Sequence, residues 1–369
     1  MDRRAREVPF GVLPLKSLAE LIAFPAVICW WNLSPGIKSG LVFFPFYLSA
    51  MAIPALSEPH TGMRFSLFRS RRTRPLILVL GMHRSGTSAT TAVLGKLGFA
   101  MPRIPMARHE DNPTGYWESA RLCALHDDML REAGSRWDDW TALRLVANRA
   151  RTRKLLAVLG KEFDLSRIST VKDPRICRMV PFWLDALATG GLSPRIVIPY
   201  RNPLEVVASL AKRGDAMTTE HGLLLWLRHV LDAEAETRDQ RRVFLRYDRL
   251  IEDWPGTMAR VGRALELEWP VAPAEVATEI DAFLDKRLRR QMVTEPELRL
   301  FNPWLADTFD ALDILSDESR DPTVATETLD RIRHAFNAMC ATRRDELPFL
   351  IRSQAASAPS DTAFAPPSG

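Results

Sequence analysis

The chain has 369 residues, 46% of them hydrophobic and 26% charged, which allows a large buried core and excludes a minimal scaffold. Fifty Lys and Arg against 45 Asp and Glu leave a formal charge of +5, a balance that suits anionic ligands but is too diffuse for a nucleic-acid surface. Four cysteines without a C-x-x-C pair and seven unclustered histidines exclude an ordinary zinc site and fit a reducing compartment.

Residues 1–74 differ in texture from the rest. "LIAFPAVICWW" (Leu21 to Trp31) and "LVFFPFYLSAMAIPAL" (Leu41 to Leu56) are strongly apolar, yet neither reaches the roughly 18–20 residues of a simple span. No small-residue cleavage site follows them, so a cleaved signal peptide is not expected. The readings are an extension packed on the protein or a partner, an interfacial or re-entrant membrane hairpin, or sequence upstream of a start at Met51 or Met63. "RSRRTRP" (Arg69 to Pro75) joins this extension to the main domain, expected over 75–348.

"LILVLGMHRSGTSATTAVLGKLG" (Leu76 to Gly98) reads as a buried strand, a Gly81-x-x-x-x-Gly86 loop and a helix with Val93, Leu94 and Leu97 on one stripe. Such a turn aims backbone amides and a helix N-terminus at an anion, and Ser85, Thr87 and Ser88 add hydroxyls. The same glycines could instead serve only a tight turn. A kinase or NTPase needs a lysine after Gly86, where Thr87 stands, and a carboxylate for magnesium. Arg84 moves the positive charge inside the loop.

Further along, "HEDNPTGYWESARLCALHDDML" (His109 to Leu130) reads as a turn, then a helix from about Glu118. Thr141 to Phe163 is expected to be helical. "STVKDPRICRMVPFWLDAL" (Ser169 to Leu187) reads as a short strand ending at Lys172-Asp173-Pro174 and a helix, with Asp173 and Arg175 as a local pair. "RIVIPYRNPLEVVASLAKRG" (Arg195 to Gly214) reads as strand, turn and helix. Arg201 and Ser209 either converge on one phosphate or are an ordinary surface arginine and helical serine. A helix is expected over Gly222 to Arg238. Arg241 to Pro270 reads as strand then helix, with Tyr247 at the strand end either lining a ligand or filling the core. Arg287, Arg289 and Arg290 form a late basic run, helical material follows over about 310–345, and 349–369 reads as a disordered tail. Strands near 76–80, 168–171, 195–199 and 243–247, separated by helices, predict a three-layer α/β domain with a central, mainly parallel sheet and sites at the strand ends.

"GMHRSGTS" together with "RNPLEVVAS" resembles the sulfotransferase family, bacterial type, and "VKDP" is similar to the matching segment of tyrosylprotein sulfotransferases. The resemblance spans roughly residues 75–300. It implies a P-loop-like fold, 3'-phosphoadenosine 5'-phosphosulfate as donor substrate and no required metal. By the same resemblance His83, Arg84, Ser85, Gly86, Thr87 and Ser88 cradle the 5'-phosphosulfate, Arg201 and Ser209 take the 3'-phosphate, and Tyr247 lines the nucleotide side. Lys172 and Arg84 would serve the transferring group, and Glu118 the acceptor's proton, with His109, Glu110 and Asp173 as rival bases. The Tyr-Glu-x-Leu strand end of the family has Asp248 in place of the glutamate, and the C-terminal Arg-Lys-Gly pattern of cytosolic members is absent. The resemblance implies a hydroxyl acceptor, with a saccharide or glycolipid favoured, and the diffuse charge leaves no nucleic-acid partner expected. A cytoplasmic location is expected, with 1–74 as the link to an inner membrane. The alternatives are a P-loop kinase or NTPase, and a non-catalytic nucleotide-binding scaffold at a membrane.

Overall fold

The computed structural model describes residues 73–342 apart from 107–114, 116, 144, 146–147, 216, 285–297 and 300–301. The expectations for 1–72, for the tail, and for His109, Glu110, Arg287, Arg289 and Arg290 lie outside the described residues.

Four parallel strands form the sheet: β1 (Arg74–Val79), β2 (Ser169–Lys172), β3 (Leu192–Tyr200) and β4 (Arg242–Arg246), in the order β2-β1-β3-β4. Side chains alternate between the faces of a strand, and here both faces are covered, so β1 reads as an unbroken apolar run. Leu76 and Leu78 face one apolar cluster and Ile77 and Val79 the other, all at most 1% exposed. The first cluster packs the sheet against α2 (Ala120–Glu132), α3 (Arg149–Glu162), α4 (Val180–Thr189), α5 (Pro203–Arg213), α6 (Thr219–Ala235), and the late α10 (Pro303–Leu315) and α11 (Thr323–Thr342). The second packs it against α1 (Thr87–Lys96), α8 (Trp254–Leu265) and α9 (Pro273–Phe283), with the short α7 (Tyr247–Glu252) leading in. This is the expected three-layer α/β arrangement. Because β2 lies on one side of β1 and β3 on the other, the strand order reverses at β1, where open α/β sheets form their ligand crevice.

Several boundaries differ from the sequence reading. The helix expected from Thr141 begins only at Arg149, where Asn148 caps it by accepting from the Arg151 amide at 2.8 Å. The preceding segment is held otherwise: the Thr141 carbonyl accepts from Arg178 Nη2 at 2.6 Å. After Lys172 the chain makes a short 3-10 turn, Pro174–Arg178, before α4 begins. Tyr247 opens α7 instead of closing β4.

Candidate active site

The loop between β1 and α1 is built by close approach. A side chain at Gly81 would put its Cβ 2.7 Å from the Pro199 carbonyl oxygen of β3. Arg84 and Gly86 both take positive φ, 67° and 93°. A Cβ at Gly86 would meet the Tyr247 ring at 2.3 Å, so the ring lies directly on the loop. Gly86 is the N-cap of α1 and supplies no side-chain cap, and the first turn holds no acidic residue. The helix therefore presents amides and the positive end of its dipole without an internal counter-charge. Ser85 is buried, and its Oγ has no hydrogen-bond partner among the described residues.

Three strand ends deliver the remaining groups. From β2, the Lys172 ammonium is buried and donates to Ser88 Oγ at 3.1 Å and to Glu118 Oε1. A cation is therefore brought to the start of α1 from the neighbouring strand, although none follows Gly86. Glu118 lies just before Ser119, the N-cap of α2, so it precedes the helix that its spacing suggested it would begin. Its carbonyl accepts from the Met106 amide at 2.8 Å, while Ser119 Oγ donates to Glu162 Oε2 at 2.9 Å. Burial raises the Glu118 carboxyl above its ordinary range, and the Lys172 charge and hydrogen bond pull it part of the way back. Glu118 Oε2 has no hydrogen-bond partner among the described residues.

On the other side of β1, Arg84 Nε donates to Ser209 Oγ of α5 at 2.9 Å. Arg201, at the end of β3, donates from Nε to Glu205 Oε2 at 2.7 Å and lies over the Tyr247 ring, 5.0 Å from its centroid. Arg201 and Ser209 thus reach the loop by separate routes, one through Tyr247 and one through Arg84. The sequence reading did not pair Arg84 with Ser209, 125 residues apart. His83 packs in a T-shaped arrangement with Trp137, ring centroids 4.9 Å apart, and its centroid lies 6.4 Å from that of His229. Burial, reinforced by Arg213 and Arg175, holds His83 well below the ordinary imidazole range, so it adds no cation to the cradle near neutral pH.

Asp173 is occupied. Oδ1 accepts from the Arg175 amide at 2.9 Å and from its Nη1 at 3.0 Å, and Oδ2 faces His126 Nδ1 at 2.9 Å and Cys123 Sγ at 3.2 Å. Burial alone would raise its pKa, but Arg175 and His126 outweigh it and hold the carboxyl well below the usual range. The expected Asp173–Arg175 pair is present, and Asp173 is a poor general base. Sequence reasoning missed His126 and Trp183, which complete this cluster from α2 and α4.

A glycine loop feeding an uncapped helix at the switch point of a parallel sheet defines a P-loop-like α/β protein. No group of side chains able to hold a metal ion is found among the described residues. The chain belongs to the sulfotransferase family, whose family model matches residues 75–271, more than half of its length. Sulfuryl transfer is the reaction of that class, which sets aside the kinase reading. Among solved structures, the chain is similar to the sulfotransferase domain of an olefin synthase from Synechococcus PCC 7002, with 18% identity, 65% of this chain and 95% of that one covered, and a TM-score of 0.38. It is also similar to sulfotransferase STF9 from Mycobacterium avium, at 18% identity, 65% and 77% coverage and a TM-score of 0.35. The sulfotransferase domain from the curacin biosynthetic pathway matches at 13% identity, 72% and 98% coverage and a TM-score of 0.33. No curated protein matches the sequence significantly. No helix among the described residues is long and apolar enough to cross a membrane.

Proposed function

We propose that the protein transfers a sulfuryl group from 3'-phosphoadenosine 5'-phosphosulfate to a hydroxyl of a saccharide or glycolipid. The observation that carries this reading is the Lys172 ammonium bridging Ser88, at the start of the anion-binding helix, to the Glu118 carboxylate. It joins a cation suited to the breaking S–O bond to a base suited to the attacking hydroxyl. The donor fits the residues present, because Ser85 Oγ is buried without a hydrogen-bond partner among the described residues and Gly86 gives α1 no side-chain cap.

On this reading the loop from His83 to Ser88 holds the 5'-phosphosulfate, with Arg84 as its local cation. Arg201 and Ser209 take the 3'-phosphate, and Tyr247 supports the nucleotide by packing under Arg201 and on Gly86. Glu118 Oε2 accepts the hydroxyl proton, which general-base help makes worth roughly 10²- to 10⁴-fold. The acceptor oxygen bonds to sulfur as the bridging S–O bond breaks, and its electron pair leaves on the 5'-phosphate of 3'-phosphoadenosine 5'-phosphate. Lys172 and Arg84 are favoured partners for that developing charge because they are already in place when it forms.

The test is incubation of ³⁵S-labelled donor with an extract of saccharides and glycolipids. Acceptor-dependent labelled product is expected. Donor binding without transfer would instead favour a non-catalytic scaffold. Fractionation with and without detergent tests the proposed link of residues 1–74 to an inner membrane.

A further inference from the structure

Lys172 and Glu118 come from different elements, yet their contact is buried and specific. Lys172 ends β2, and Glu118 precedes α2. A second buried contact joins the same two elements beside the first. Asp173 follows Lys172 directly, and His126 lies seven residues after Ser119, roughly 10 Å along α2. Their side chains meet at 2.9 Å, both fully buried.

The contact has a defined direction. Trp183 Nε1 of α4 donates to His126 Nε2 at 3.2 Å, which leaves Nδ1 as the protonated nitrogen facing Asp173. Hydrogen bonds from an outer partner set tautomer and ring orientation in this way at many functional histidines. Here both Asp173 oxygens carry two contacts each, so neither is directed at a reacting group. The cluster is saturated, and what it does is hold two elements in register.

We propose that His126 and Asp173 are a positioning pair that fixes α2 against the end of β2 and thereby holds Glu118 on Lys172. The inference rests on the sulfuryl-transfer reading of Glu118 and Lys172. The hydrogen bonds of His126 run to Asp173 and Trp183. His126 acts through α2, with Ser119–Glu162 and Met106–Glu118 as the other anchors of the helix entry. Arg201, Ser209 and Tyr247, the residues assigned to the 3'-phosphate and the nucleotide, hang from the β3 side of β1, away from β2.

The experiment uses two substitutions at one position. His126→Leu removes the donor to Asp173, and His126→Asn keeps an N–H near the place of Nδ1. His126→Leu is expected to slow label transfer from saturating ³⁵S-labelled donor by about 10-fold or more, since small misplacements of reacting groups carry large penalties. Calorimetric affinity for 3'-phosphoadenosine 5'-phosphate should stay near wild type, and His126→Asn should recover most of the rate. In a Glu118→Gln background His126→Leu should add little, because both act through one contact. Additive losses in that cycle, or transfer and donor affinity falling together, would overturn the proposal. Should His126→Leu not fold, Trp183→Phe takes its place, removing the donor that sets the tautomer while keeping an aromatic ring in the core, and the same pattern at smaller size is expected. If the wild-type protein transfers no label to any acceptor, the sulfuryl-transfer reading fails separately. Crystal structures then decide the positioning role: Glu118 parted from Lys172 in the His126→Leu protein supports it, and an unchanged contact refutes it.

Discussion

Removing Lys172 tests the centre of the site through stability as well as activity. In Lys172→Ala the Glu118 carboxylate would remain buried, with its Oε1 stripped of the ammonium and its Oε2 already without a partner among the described residues. Breaking a buried pair by deleting one member costs about 3–5 kcal/mol. For a domain of this size that is a fall in Tm on the order of 10 °C. The sign of the pH dependence follows from Glu118. Burial already raises its pKa above the ordinary 4.5, with Lys172 opposing, so loss of Lys172 raises it further. A carboxyl with a raised folded-state pKa holds its proton more tightly in the folded protein. Its contribution therefore favours folding below the unfolded pKa and is lost as pH rises through the folded one. The Lys172→Ala deficit should be largest near pH 8 and shrink toward pH 5, whereas Glu118→Gln/Lys172→Ala should show no such trend. Thermal melts of the three proteins across that range provide the assay. An equal deficit at both ends would refute the claim that a stranded Glu118 charge is the cause.

Gly86→Ala should weaken 3'-phosphoadenosine 5'-phosphate binding by about 10-fold or more, because the left-handed φ costs roughly 1–2 kcal/mol and the new methyl displaces Tyr247 from beneath Arg201; calorimetry checks it, and unchanged affinity would remove the ring from the site. Arg201→Ala should lower affinity for 3'-phosphoadenosine 5'-phosphate far more than affinity for ADP, as a lost charge-assisted contact to the 3'-phosphate requires; equal losses would reject that assignment. The His83→Gln protein should show the wild-type pH dependence of donor affinity between pH 6 and 8, since the ring is held neutral there, and a changed profile in titrations would return a charge to His83. Burial pushes the thiols of Cys123 and Cys177 upward, so mass spectrometry after iodoacetamide at pH 8 should find both unmodified in the native protein.

The parts legible in the sequence were those whose signals are local. The unbroken apolar run of β1, the glycine spacing and the Lys172-Asp173-Pro174 strand end each follow from a few adjacent residues, and the structure brings Lys172, Glu118 and Ser88 into contact. Helix starts were legible less well. Asn148 and Ser119 are capping residues that a periodicity reading passed over, and they moved two boundaries. Tyr247 reads as a strand-end residue in sequence, but its ring is spent on Gly86 and Arg201 where the backbone turns into α7. The Arg84–Ser209 bond and the Trp183–His126–Asp173 chain span long separations. A lone histidine in an amphipathic helix carries no local mark of such a partner.

The placement of β1 between β2 and β3 has a consequence for how such an enzyme could diversify. On the proposed reading, the residues that read the nucleotide hang from β3, α5 and α7, and those that touch the transferred group and its acceptor hang from β2 and the entry to α2. The phosphate loop is the seam between them. Sequence change at the entry to α2 can then alter which hydroxyl is sulfated while Lys172 and the β3-side residues, which serve the donor, are kept.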